Sequence, residues 1–216
     1  MQAAHPALIG FDQTFERDFP LIMAVGREPS SDEEAVYGLG HYDFRSSPNC
    51  GFWNISYGMV AAAVGLKTYD LKRLCVAQRS SPLIYADASP ITIKNAVADK
   101  ATLRAAVPDE AVAGHVAHIF SHEAVIQRVG VVLLSGLKAP GFRRSVAYFQ
   151  AACDARGIPC VEVPFFYGTN APKIRDAIDQ ATSVRIQTIM RSFQEAGSPN
   201  AAPPGASHAL PGNSGG

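Results

Sequence analysis

The chain has 216 residues, 47% apolar and 18% charged, which fits one globular domain with a full core and excludes a disordered protein. Lys plus Arg and Asp plus Glu stand at 19 each, so no net charge draws the molecule toward nucleic acid. No apolar run approaches the roughly eighteen residues of a membrane span, and Met1-Gln2-Ala3-Ala4-His5-Pro6 lacks the pattern of a secretory signal, so a cytoplasmic protein is expected.

Residues 20–26 form a continuous apolar run ending at Gly26 and read as a buried strand. Residues 52–64 read as a helix that begins at Phe52 and Trp53 and stops at Gly65. A second strand over 83–86 runs into Asp87-Ala88-Ser89-Pro90, and 109–128 follow a helical pattern. Val129–Ser135 is the clearest strand; it ends at Gly136 and feeds a helix over 141–156. Residues 158–164 give a fourth strand and 171–196 a final helix. Short apolar runs alternating with helices predict right-handed βαβ crossovers. The expected fold is α/β, a three-layer αβα domain over 1–197 with a central, mostly parallel four-stranded sheet. From Ser198 onward, Pro, Gly, Ala and Ser dominate, which predicts a disordered tail over 198–216.

Open parallel sheets bind ligands outside the carboxyl ends of their strands. Arg27, Glu28 and Ser30 follow the first strand, and Asp87 and Ser89 the second. Gly136 and Lys138 follow the third; Phe165, Phe166, Tyr167, Thr169 and Asn170 follow the fourth. Glu28 is either a helix cap or solvated loop acid, or an anion opposing positive charge at a reacting sugar carbon. Phe52 and Trp53 are either core aromatics or a flat surface for a ring. Asp87 either caps a helix starting near Pro90 or presents an acceptor that suits an exocyclic amine and repels a carbonyl. Lys138, Arg143 and Arg144 make a local basic cluster.

His115, His118 and His122 fall at i, i+3 and i+7 without a fourth ligand, which favours a partly exposed helix face over a metal site. Cys50, Cys75, Cys153 and Cys160 stand far apart, with no C-x-x-C pair. That spacing predicts reduced thiols and neither zinc nor an iron–sulfur cluster. No cofactor or metal is expected.

Gly26-Arg27-Glu28-Pro29-Ser30 resembles the first motif of the uracil-DNA glycosylase superfamily, GQDPYH in one branch and GxNPG in others. Asn49-Cys50-Gly51-Phe52-Trp53 is similar to the NRFW segment of the mismatch-specific branch, with one residue inserted. The resemblance covers roughly residues 18–182. It implies a uracil-DNA glycosylase-like fold and a monofunctional DNA glycosylase that cleaves the N-glycosidic bond of a base flipped out of double-stranded DNA. The implied enzyme is monomeric, with no membrane partner. Glu28 matches the acidic form of the motif with one extra methylene, and the phenylalanine matching Phe52 stacks on the extruded base. Family members that select uracil use an asparagine amide in the region of Asp87, so an acid there points to a cytosine-type base.

The family's closing motif, HPSP or NPSG, is absent from Phe165-Phe166-Tyr167-Gly168-Thr169-Asn170-Ala171-Pro172. Asn170 is then the candidate donor to the departing base, with Arg27, Ser30, Tyr167 and Thr169 as substrate contacts. Lys138, Arg143, Arg144 and Lys173 are the candidate DNA-backbone cations. Antiviral members of the superfamily remove glucosylated hydroxymethylcytosine from phage DNA, and this chain is compatible with that role. Uracil or mismatch repair, a nucleoside hydrolase or deoxyribosyltransferase, and a non-catalytic nucleic-acid binder stand as alternatives.

Overall fold

In the computed structural model, the described residues are 8–11, 13–27, 51–91, 99–167 and 170–197. Five strands occur among them: β1 (Ile9–Gly10), β2 (Leu21–Gly26), β3 (Leu83–Asp87), β4 (Val129–Ser135) and β5 (Cys160–Val163). The helices are α1 (Gly51–Ala63), α2 (Thr68–Gln78), α3 (Lys100–Ala105), α4 (Asp109–Phe120), α5 (Glu123–Ile126), α6 (Arg143–Asp154), α7 (Ala171–Ala177) and α8 (Gln180–Ala196). None of the described helices is long and apolar enough to cross a membrane.

The strands lie in the order β1-β3-β2-β4-β5. β3, β2, β4 and β5 run parallel, and β1 adds antiparallel to β3. All six residues of β2 and the stretch 131–135 of β4 are buried, as a strand covered on both faces requires. Each large apolar side chain removed from water in this way contributes about 1.5–3 kcal/mol. α8 packs on β2 and β4 and against α1, which also meets α2 and α7. α6 packs on β5 and against α4, so the helices form two groups about the sheet, consistent with three layers.

β2 comes first of the parallel strands yet lies between β3 and β4. The chain therefore leaves it toward one edge of the sheet and returns to build the other. Such a reversal opens a crevice between the carboxyl ends of the two strands that flank it, here β2 and β4.

Three expectations need correction. The sheet is mixed and five-stranded, because a two-residue strand such as β1 carries no periodicity to read. The helical pattern at 109–128 is broken at Phe120, where Ser121 Oγ and His122 Nδ1 donate to the His118 carbonyl at 2.7 and 2.9 Å. Those side chains take the oxygen that the helix would use to continue. The pattern at 171–196 is likewise two helices: Ile178 is extended, and Asp179 caps α8 by accepting from the Thr182 amide at 2.7 Å. α2 and α3 escape the sequence reading. α2 buries only Leu71, Cys75 and Gln78, a stripe too narrow to stand out. Residues 198–216, read as a disordered tail, lie outside the described residues.

Candidate functional site

At this edge of the sheet, contacts join three strand ends. Arg27, the residue after β2, donates from Nε to the Gly136 carbonyl beyond β4 at 3.0 Å. Its guanidinium carbon lies 4.7 Å from the centre of the Phe165 ring, beyond β5. A cation over an aromatic face contributes about 0.5–2 kcal/mol, according to how far water is excluded. Gly136 donates its amide to the Val163 carbonyl at 2.8 Å, and Ser135 Oγ accepts from the Phe166 amide at 2.9 Å. Gly136 has φ +72°, and a Cβ there would meet the Phe165 Cβ at 2.6 Å and its Cα at 3.0 Å. Only glycine accommodates both the left-handed backbone and that approach.

Aromatic rings line one side. The Phe52 ring, in the first turn of α1, lies 5.6 Å from Tyr85, 6.4 Å from Phe165 and 5.3 Å from Phe166, centre to centre. Phe52 is half-buried, whereas Trp53 is only 6% exposed and packs edge-on to Tyr85 at 4.4 Å. Trp53 is therefore a core residue, and Phe52 borders the crevice.

A carboxylate approaches from β3. A Cβ built on Gly26 would lie 3.0 Å from Asp87 Oδ1 and 3.8 Å from Phe52 Cε2. An acid and an aromatic edge thus converge over a bare Cα at the end of the central strand. Asp99 caps α3, its side chain accepting from the Thr102 amide at 2.8 Å, whereas the segment after Pro90 that Asp87 would cap lies largely outside the described residues. The Asp87 carbonyl accepts from His115 Nε2, on α4, at 2.8 Å. The half-buried Phe52 ring, with a carboxylate and a guanidinium nearby, can offer an apolar face to a planar ring with a polar edge.

Arg27, Phe52 and Asp87 are brought together by the structure. Asn170, half-buried at the start of α7, donates from Nδ2 to the Phe165 carbonyl at 3.0 Å and braces the loop after β5. Tyr167 stands on that loop at 58% exposure. Glu28, Ser30 and Thr169 lie outside the described residues, as do Asn49 and Cys50 of the second motif. Of the basic residues, Lys138, Arg143 and Lys173 are exposed on segments that follow β4 and β5. His118 and His122 sit with ring centres 5.1 Å apart. Cys75, Cys153 and Cys160 are free thiols, and burial pushes Cys75 up to about 12, which holds it protonated near neutrality.

Arg144 has a structural task. Its Nη2 donates to the carbonyls of Arg104, Ala105 and Val107 at 3.4, 3.1 and 3.0 Å, and Nη1 pairs with Asp109 at 3.5 Å. This closes the carboxyl end of α3, where a cation is favoured. Replacing Arg144 with Ala is expected to lower stability by about 1–2 kcal/mol in chemical denaturation, since charged hydrogen bonds at a half-exposed site are lost. A loss within about 0.5 kcal/mol, as for an ordinary surface substitution, would show that these bonds do not hold the end of α3.

The sequence offered no signal for His115 beyond its helical spacing. Its partner is 28 residues away, at the end of a strand it does not adjoin in the chain. No family model matches the chain, and no curated protein matches it.

Proposed function

We propose that the protein is a monofunctional DNA glycosylase of uracil-DNA glycosylase-like fold, acting on a cytosine-type base extruded from double-stranded DNA, with phage-modified cytosine as the favoured substrate. The observation that carries the reading is the convergence of Asp87 and Phe52 over Gly26 at the topological switch between β2 and β4. The parallel order, with the first strand between the second and the third, fits the same reading. The proposed enzyme is a cytoplasmic monomer that needs no cofactor.

In this reading a flipped base stacks on Phe52, a contact worth about 1–3 kcal/mol. Asp87 accepts from its exocyclic amine. As the N-glycosidic bond breaks, the bonding pair stays with the base and positive charge builds on the sugar. Glu28 opposes that charge and accepts a proton from the water that adds to the sugar carbon, while the departing base anion takes up a proton from solvent. Asn170, whose amide keeps a second hydrogen beyond the one given to Phe165, donates to the departing base with Tyr167 and Thr169. Arg27 and Ser30 contact substrate beside Glu28, and Lys138, Arg143 and Lys173 meet DNA phosphates.

The test offers the purified chain uracil-containing, mismatched and phage-modified duplexes, single strands and free nucleosides, followed by alkaline cleavage at abasic sites. Release from the modified-cytosine duplex is expected to be fastest. Asp87→Asn, whose amide can turn to donate, should narrow the preference for cytosine-type over uracil-type bases by roughly tenfold to a hundredfold. Both substrates need the same duplex context, since unpairing costs differ. Release from free nucleosides alone would favour the nucleoside hydrolase, and binding without release a non-catalytic binder. A wild-type preference for uracil that Asp87→Asn leaves unchanged would end the cytosine assignment.

A further inference from the structure

We propose that His115 is a positioning residue that fixes Asp87 and thereby sets base selection; the selectivity part rests on reading Asp87 as the residue that meets the base edge. β3 is bordered on one side by β2 and on the other by β1, whose two residues pair only with Tyr85 and Ile84. Ala88 turns toward β2, donating to the Gly26 carbonyl at 3.0 Å. The Asp87 carbonyl lies past the last β1 pair, at the point where the strand ends and the site begins. A half-buried backbone carbonyl needs a donor, and the imidazole of His115 supplies it at 2.8 Å from a different helix.

The chemistry of that bond defines the ring. A carbonyl oxygen only accepts, so Nε2 must carry the proton. α4 is in turn anchored by buried Val112, Val116, Ile119 and Phe120, which hold the imidazole in place. The Asp87 backbone is therefore tied on both sides, to β2 by the ladder and to α4 by His115. Its side chain leaves that fixed Cα toward Gly26 and Phe52. A carboxylate that discriminates an amine from a carbonyl must be held in one orientation, because a mobile acid meets either edge through water.

The test compares the full chain with His115→Leu and His115→Gln, the latter placing an amide nitrogen the same number of bonds from Cβ. Three readouts apply: the ¹⁵N pattern of the His115 ring, the χ1 couplings of Asp87, and the ratio of single-turnover release rates for cytosine-type and uracil-type bases in one duplex context. We expect an Nε2–H tautomer and a single Asp87 rotamer in the wild type. His115→Leu should average the couplings and narrow the rate ratio by about tenfold, the lower end of an edge-reading contact. His115→Gln should restore both. An Nδ1–H tautomer, wild-type couplings in His115→Leu, or a loss that Gln leaves unrepaired would each overturn the assignment. If the wild type releases no base, the glycosylase reading fails, while the tautomer and couplings still decide whether His115 positions Asp87.

Discussion

Glu28→Gln is expected to lower the turnover number by about 10²–10³ while leaving DNA affinity and thermal stability at wild-type values. The exchange keeps shape and removes a charge. In the proposed reaction a neutral ground state has little to lose from that, whereas a transition state with positive charge on the sugar would lose the anion assigned to oppose it. The whole effect should therefore fall on kcat and not on KM. Glu28 lies outside the described residues; its neighbour in the chain, Arg27, is held by the Gly136 carbonyl and the Phe165 ring. Single-turnover base release under saturating enzyme measures the chemical step directly. An unaltered rate would make Glu28 a capping or solvated acid and remove the proposed chemistry.

Gly136→Ala should be the most destabilising small substitution in the crevice, by about 2–4 kcal/mol. A residue other than glycine at φ +72° costs about 1–2 kcal/mol. The remainder comes from overlap with Phe165, where the contacts are a Cβ and a Cα, so no rotamer change relieves it. For a chain of this size the melting temperature should fall by about 5–15 °C. Gly157→Ala is the control, since Gly157 shares a positive φ of +65° and its Cβ would meet nothing within 4 Å. That variant should show the conformational cost alone. Equal losses in the two would mean that the loop after β5 yields freely, and that Phe165 does not lock the crevice.

The central strands β2 and β4 were legible in the sequence because parallel strands covered on both faces leave nearly unbroken apolar runs. Leu21–Gly26 and Val129–Ser135 are such runs, and the helix after the first was marked by its Gly65 stop. Their alternation with helices dictated parallel crossovers, and that alone pointed to Arg27, Asp87, Gly136 and Phe165 as residues past strand ends. Local competition for hydrogen bonds was not legible. Ser121 and His122 end one helix, and Asp179 restarts another, through side chains whose choice between capping and continuing depends on the fold around them. Sheet order, the contact of Arg27 with Gly136 across 109 residues, and the bond from His115 to Asp87 were decided by tertiary structure. Periodicity records which face of an element is buried. It carries no information on which distant element covers that face, and a site made by four strand ends and a helix exists only once they meet.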